Sequence, residues 1–594
     1  MVQLDISETS KAIGIVGFYI VTIGPVSYFL KNRLFLSEAL LALGLGIIVG
    51  PVALDWFSPG KWADSQEAVN ILTFEITRIV IGIQVLFTGI ALPKAYLWRE
   101  KVSLAILLFP VMLAAWFSSA LLIWGLIPGL TFLECLTIAA CVTPTDPVLA
   151  NVIYLQRPFC RKIRPSACTE HNRRVALSIL LSSYKTLNSC NIDIAVAESG
   201  ANDGLGFPFL YMGIYLILRQ TPSHPVHTIG GAIGEWAYNI LLYQILLSVL
   251  IGGVIGYVAR VTLKWAEQRD LVDHDNFLAY GVGLTFFILG TVGLIGSDDI
   301  LCCFVAGNAF TWDDWFRVQT EDHAFQDVID TLLNSAIFLY IGSILPWGEF
   351  GGGFYGIQPW RLVVLGICIM VLRRVPWVVA LHRWIPTLPT WKESAFAGFF
   401  GPIGVGAVFY VQVALEKLPE ERERLRAVIT PVVYFLILTS VVVHGVTIPL
   451  AKGFSGVRRL TITRSAGATS ASGAALNAVS RLPQAPTTLP IDQGLVDEHD
   501  AQAAAKVEAP DGMGKNASAI PSRSTSESPS PENMSLQTPK TAIFPATDTY
   551  PEGIIRFQST VNVEGHTRSP SDLNGPDAER LTKRTKEIHG SLPI

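Results

Sequence analysis

Charge is what this sequence has least of. Only 15% of its 594 residues are Asp, Glu, Lys or Arg, while half are apolar. A soluble globular chain is about a quarter charged, so the composition points away from a soluble protein and toward a polytopic membrane protein. Cysteine is scarce too. The eight cysteines (135, 141, 160, 168, 190, 302, 303 and 368) lie in apolar runs or in one basic loop. They show neither zinc-ligand spacing nor a secreted disulfide framework, and Cys302 and Cys303 read as small packing residues. The N-terminus lacks a basic n-region with a cleavage site, so its first apolar run is expected to be retained. The net charge of −4 identifies no partner, because charge is segregated by loop.

What is present is a series of apolar runs long enough to span a bilayer. They fall near 12–30, 34–54, 71–93, 103–125, 131–151, 196–218, 238–259, 277–295, 297–310, 331–346, 360–381, 391–413 and 427–450. Of these, 297–310 is short enough to be a half-span, so the count is 12 or 13. Lys31 and Arg33, Lys94 to Lys101, Arg157 to Arg174, Arg260 to Arg269, His382 with Arg383, and the segment from Lys452 collect on one side. Basic loops mark the cytosolic side, which puts the C-terminus in the cytosol. From about 464 the chain turns to Ser, Thr, Pro, Ala and charge, with no run able to span or to form a core. The expected division is a membrane domain over 1–455 and a disordered cytosolic tail over 456–594, suited to regulators or kinases.

Three stretches place polar groups at membrane depth. In "CVTPTDPVLA", 141–150, Pro144 and Pro147 each lack an N–H and break the helix. Helical geometry would free the carbonyls of Ala140 and Thr143 beside the hydroxyls of Thr143 and Thr145 and the carboxylate of Asp146. Such a set suits a dehydrated hard cation; the bland alternative is a kink with Asp146 as a cap. In "AESGANDGLGFPF", 197–209, Ser199 and Asp203 are one turn apart and share a face, so hydroxyl and carboxylate can converge on one ion. An N-cap at the membrane surface is the alternative there. In "GSDDILCCFVAGNAF", 296–310, Asp298 and Asp299 point about 100° apart, so at most one faces the site of Asp203, and helix capping accounts equally well for either. Arg373 and Arg374 end an apolar run and read either as snorkelling side chains or as partners for Glu198. "FFGPIGVGAVFY", 399–410, is a further broken helix at Pro402. It falls seven spans after the TPTDP break. An odd offset makes the two antiparallel, and paired broken helices in an inverted repeat are the binding-site architecture of secondary transporters.

TPTDPVLA, AESGANDGLGFPF, GSDDILCCFVAGNAFTWDDWF, LRRVPWVVAL and GPIGVGAVFY together resemble the fungal plasma-membrane Na+/H+ antiporters of the monovalent cation–proton antiporter superfamily. The resemblance extends in order over roughly 10–455. It implies an all-α, multi-pass plasma-membrane homodimer with crossed broken helices, exchanging Na+ or Li+, with K+ as a further candidate, for H+ in cation and pH homeostasis and salt tolerance. The family's aspartate falls on Asp203, its asparagine on Asn202, its crossed peptide on Thr143, Thr145 and Asp146, and its serine on Ser199. A glutamate–arginine pair falls on Glu198 with Arg373 or Arg374, and the fungal aspartate pair on Asp298 and Asp299. Two departures stand out. Residues 151–197 look like an atypical cytosolic loop or insert, and Ala91 stands where relatives often carry an acid.

This reading requires no enzyme activity, no cofactor and no nucleic acid. A carboxyl removed from water binds a proton more readily, so proton and Na+ or Li+ compete for Asp203. A cation channel, or an intramembrane aspartyl protease using Asp203 with Asp298 or Asp299, is the alternative. The GxGD pattern of such proteases is absent.

Overall fold

The computed structural model describes residues 8–26, 37–147, 189–222, 224–272, 276–319, 325–351, 353–447 and 449–450. The expected tail and the part of the expected insert at 151–188 lie outside the described residues. Within them the chain is helical and no strand occurs. The helices are α1 (Ser10–Val26), α2 (Glu38–Val49), α3 (Gln66–Ala91), α4 (Lys101–Leu126), α5 (Phe132–Cys141), α6 (Ser189–Gly204) and α7 (Phe207–Leu218). Then come α8 (Ile229–Glu267), α9 (Asn276–Ile295), α10 (Asp299–Phe310), α11 (Phe325–Ser343), α12 (Pro359–Leu372), α13 (Val375–Leu381), α14 (Trp391–Phe399), α15 (Val405–Lys417) and α16 (423–447). Among the described residues, each of the thirteen apolar runs falls on one of these helices or on a broken pair of them.

One boundary differs from the sequence reading. Residues 189–197, counted with the insert, form the first turns of α6. The reason is local: Ile194, Ala195, Val196 and Ala197 are all buried, and Ile194 lies one turn before Glu198 on the face that runs on to Asn202.

Why the helices sit in lipid is clearest in α8. Its small or core-facing residues Ser248, Gly252, Gly256, Ala259 and Leu263 recur every three or four positions and are buried. Leu250, Val254, Val258 and Val261 on the other face are exposed. An outward face of large aliphatic residues suits hydrocarbon, while small residues let helices approach closely. A Cβ added at Gly252 would stand 2.6 Å from the carbonyl oxygen of Cys302 in α10, which sets how closely these helices pack.

Two helices share one construction. Thr131 and Glu134 form a capping box at the start of α5, and Thr390 and Glu393 form another at the start of α14. Each box satisfies two orphan N–H groups at the helix N-terminus. After ten residues in α5 and nine in α14 the helix stops inside the protein. The stops bring the two breaks together.

Candidate functional site

A helix that ends inside a membrane protein must have its freed backbone groups met by other protein groups. At this crossing they are met one by one. Asp146 N–H donates to the Pro402 carbonyl at 2.9 Å, and Asp146 Oδ2 accepts from Val405 N–H at 3.1 Å, so each break caps the other. Arg373 donates to the Val142 and Gly401 carbonyls, one from each broken helix. The carbonyl expected to be free at Ala140 is instead taken by Thr143 N–H at 3.3 Å, because the chain tightens into a turn before Pro144. The Thr143 hydroxyl is turned back to Ala139 O at 2.7 Å.

The α6 helix meets this crossing with a row of polar side chains. Asn202 accepts from Thr145 N–H at 2.9 Å and donates to Thr145 Oγ1 at 2.8 Å and Glu198 Oε1 at 2.8 Å. Ser199 Oγ lies 3.0 Å from Thr145 Oγ1. Arg374 grips Glu198 with two bonds, Nη1–Oε1 at 3.0 Å and Nη2–Oε2 at 2.9 Å, and both side chains are buried. Sequence left Arg373 and Arg374 as equal candidates. Pro376 divides α12 from α13 and the adjacent guanidinium groups diverge, Arg374 toward Glu198 and Arg373 toward the broken backbone.

Asp203 stands one turn beyond Ser199. It is 4% exposed, and its Oδ1 is buried with no hydrogen-bond partner among the described residues. A Cβ at Gly406 would lie 2.9 Å from that oxygen, so the glycine at the start of α15 leaves room directly in front of the carboxylate. Behind Asp203 the chain breaks before Pro208. The Asp203 backbone carbonyl, lost to the helix, accepts from the Tyr410 hydroxyl. Thr145, Ser199 and Asn202 are thus hydrogen-bonded together, Asp146 caps the crossing beside them, and Asp203 stands one turn from Ser199 with an unpartnered carboxylate oxygen, whereas the Thr143 hydroxyl, expected in the site, is turned away to Ala139 O.

Asp298 and Asp299 are placed differently. Asp298 caps α10 through Oδ1, which accepts from Leu301 N–H at 2.9 Å, while its Oδ2 is buried without a partner among the described residues. Asp299 turns to Arg78 of α3, 2.6 Å from Nε and 2.5 Å from Nη2. Arg78 also donates to Leu289 O at 2.8 Å and to Glu75 at 3.0 Å, tying α3, α9 and α10 together. Sequence reasoning missed Arg78. An arginine one turn from a glutamate looks like a local pair, and its partner is 221 residues away. Among the described residues no group of three or more His, Cys, Asp or Glu gathers as a transition-metal site would require.

The fold is shared with solved antiporter structures. The sodium proton antiporter MjNhaP1 from Methanocaldococcus jannaschii at pH 8 superposes with a TM-score of 0.54 at 16% identity, over 75% of this chain and 98% of that one. Among curated relatives, the Na+/H+ antiporter of Saccharomyces cerevisiae is 36% identical over 480 residues, which is 78% of this chain and 45% of the relative. A probable Na+/H+ antiporter of Schizosaccharomyces pombe is 37% identical over 462 residues, covering 75% of this chain and 56% of the relative. This chain thus spans about half the length of these two relatives. It spans 94% of a second S. pombe Na+/H+ antiporter, at 33% identity. The family model described as sodium/hydrogen exchanger, transmembrane, matches residues 18–156 and 174–451, omitting only 157–173 of the stretch that looked like an insert. That match runs through both breaks and through α3, α6, α10, α12 and α13, which carry the site residues, and the chain belongs to the sodium/hydrogen exchanger family.

Proposed function

We propose that this protein exchanges Na+ or Li+, with K+ as a further candidate, for H+ by alternating access, and that the two cargoes compete for the Asp203 carboxylate. The observation that carries the reading is the buried, unpartnered Oδ1 of Asp203 facing Gly406. A buried polar atom without a partner is costly unless something is meant to bind it. A proton or a small desolvated cation is what the space beside Gly406 admits. Thr145, Ser199 and Asn202 hold the carboxylate's surroundings, and Asp146 locks the crossed backbone. Asp298 keeps a second unpartnered oxygen at the start of α10 and is assigned a part in transport, whereas Asp299 serves through its bond to Arg78.

The relatives are named Na+/H+ antiporters, which supports the cargo. We place the protein in the plasma membrane as a homodimer with a cytosolic C-terminus, serving salt tolerance and pH regulation. Lipid is its surrounding, and its tail is the docking segment for regulators.

The test is a pH gradient across vesicles holding the purified full chain. Adding Na+ or Li+ should collapse the gradient with no membrane potential imposed. A channel would instead pass the cation down its own gradient as a current, and current without coupled proton movement would sink the proposal.

A smaller change probes the space itself. Gly406→Ala adds a methyl 2.9 Å from Asp203 Oδ1. It should raise the cation KM about tenfold, the equivalent of about 1.4 kcal/mol of binding, with little loss of folded protein. An unchanged KM would show that the cation does not occupy this face of Asp203.

A further inference from the structure

The second break, between α14 and α15, has a partner that neither the motifs nor the ion site account for. In a continuous helix Ile403 N–H would donate to the Phe399 carbonyl, four residues back. Here Pro402 ends the helix and the two groups part. Ile403 N–H donates to Ser440 Oγ at 2.8 Å, and the Phe399 carbonyl faces His444 Nε2 at 2.9 Å. Ser440 and His444 are one turn apart on α16, and both are buried. Ser440 Oγ lies 3.3 Å from His444 Nδ1, so the two side chains are themselves linked. His444 Nδ1 also lies 2.8 Å from the Ser440 carbonyl. Both carbonyls can only accept and a neutral ring carries one N–H; placed on Nε2, toward Phe399 O, it leaves Nδ1 to accept from the Ser440 hydroxyl, and the Ser440 carbonyl is then a contact and not a bond. The rings of Phe399 and Phe400, 5.3 and 6.0 Å from the imidazole, wall off the bond.

The structure assigns Ser440 and His444 as positioning residues that hold the α14–α15 break open by replacing its missing helical hydrogen bond from both ends. The break so held presents Pro402 O and Val405 N–H to Asp146 and Gly401 O to Arg373. It also sets Gly406 opposite Asp203. His444 and Ser440 touch none of the cargo-facing oxygens, so their effect reaches the ion through the position of the break. This inference rests on the exchange reading above.

Side-chain geometry supplies the test, made on the full chain in vesicles. The amide nitrogen of glutamine occupies the place of histidine Nε2, and that of asparagine the place of Nδ1. His444→Gln can therefore still donate to Phe399 O, while His444→Asn cannot reach it. With exchange rates normalised to folded protein, His444→Asn and Ser440→Ala should each raise the Na+ or Li+ KM about fivefold to tenfold, as loss of one neutral hydrogen bond implies. His444→Gln should stay within about twofold of the parent. The maximal rate should change less than KM in all three. If Gln and Asn variants share one KM, or if Ser440→Ala keeps the parent's KM, the assignment is overturned. Should His444→Asn fail to fold, Ser440→Ala and His444→Gln still decide it. A parent protein with no cation-driven proton movement would instead sink the exchange reading, and is measured separately in the same vesicles.

Discussion

Asp203→Asn is expected to abolish Na+- and Li+-driven proton movement while the protein still folds. The substitution keeps size and shape and removes both the charge and the exchangeable proton. Folding should survive because Asp203 Oδ1 makes no hydrogen bond among the described residues that the amide would break. Removing a buried charge also relieves a desolvation cost, so the melting temperature should match or exceed the parent's. Asp146 and Glu198 are the neighbouring acidic groups, and both have partners: Val405 N–H for Asp146, Arg374 and Asn202 for Glu198. Neither is left to take over the exchange. Asp203→Glu moves the carboxylate by one methylene toward Gly406 and should retain some exchange at altered affinity. In the parent, raising external H+ should raise the cation KM and leave the maximal rate at saturating cation unchanged, as competition for one site demands. Parent-like rates in folded Asp203→Asn would end the reading and move the search to Asp298, whose Oδ2 is also unpartnered, ahead of Asp299, which Arg78 holds.

Much of this site was legible from the chain because membrane burial makes polar residues conspicuous. Pro144, Pro147 and Pro402 announce breaks by backbone chemistry alone, and Asp203 announces itself as a carboxylate in an apolar run. Ser199 and Asp203, four residues apart, share a face by helix periodicity, while Asn202 entered through the family resemblance. What stayed hidden was every contact that depends on how helices meet. Asp298 and Asp299 looked interchangeable until Arg78, on a helix far away in sequence, took one of them. His444 is a lone histidine in an apolar helix, which most often means a satisfied core residue, and only the facing backbone of Phe399 gives it a task. One signal was present and unread. "TFLE" at 131–134 and "TWKE" at 390–393 are the same capping box, placed nine or ten residues before each break. That repetition marks α5 and α14 as equivalent halves without any structure.

The second large effect is expected at the buried ion pair. Glu198→Gln leaves the Arg374 guanidinium without a counter-charge in a site where both side chains are about 5% exposed. Breaking one partner of a buried pair costs about 3–5 kcal/mol, mostly the penalty of the charge left behind. The detergent-purified variant should therefore melt well below the parent. The effect on ion affinity should be smaller, because Glu198 reaches the cation site indirectly, through Asn202 and through the Arg374 bond to Thr145 Oγ1. Removing both charges tests the partner assignment. Glu198→Gln combined with Arg374→Gln should recover part of the lost stability, since no uncompensated charge remains. Combining Glu198→Gln with Arg373→Gln should recover much less, because Arg373 spends its donors on the carbonyls of Val142 and Gly401 and meets Glu198 only through space. Strong coupling is the mark of groups in direct contact. Parent-like melting of Glu198→Gln would remove the pair from the account of stability. Equal coupling of Glu198 to both arginines would mean that the pair is shared, and that Arg373 is not committed to the crossing of the two breaks.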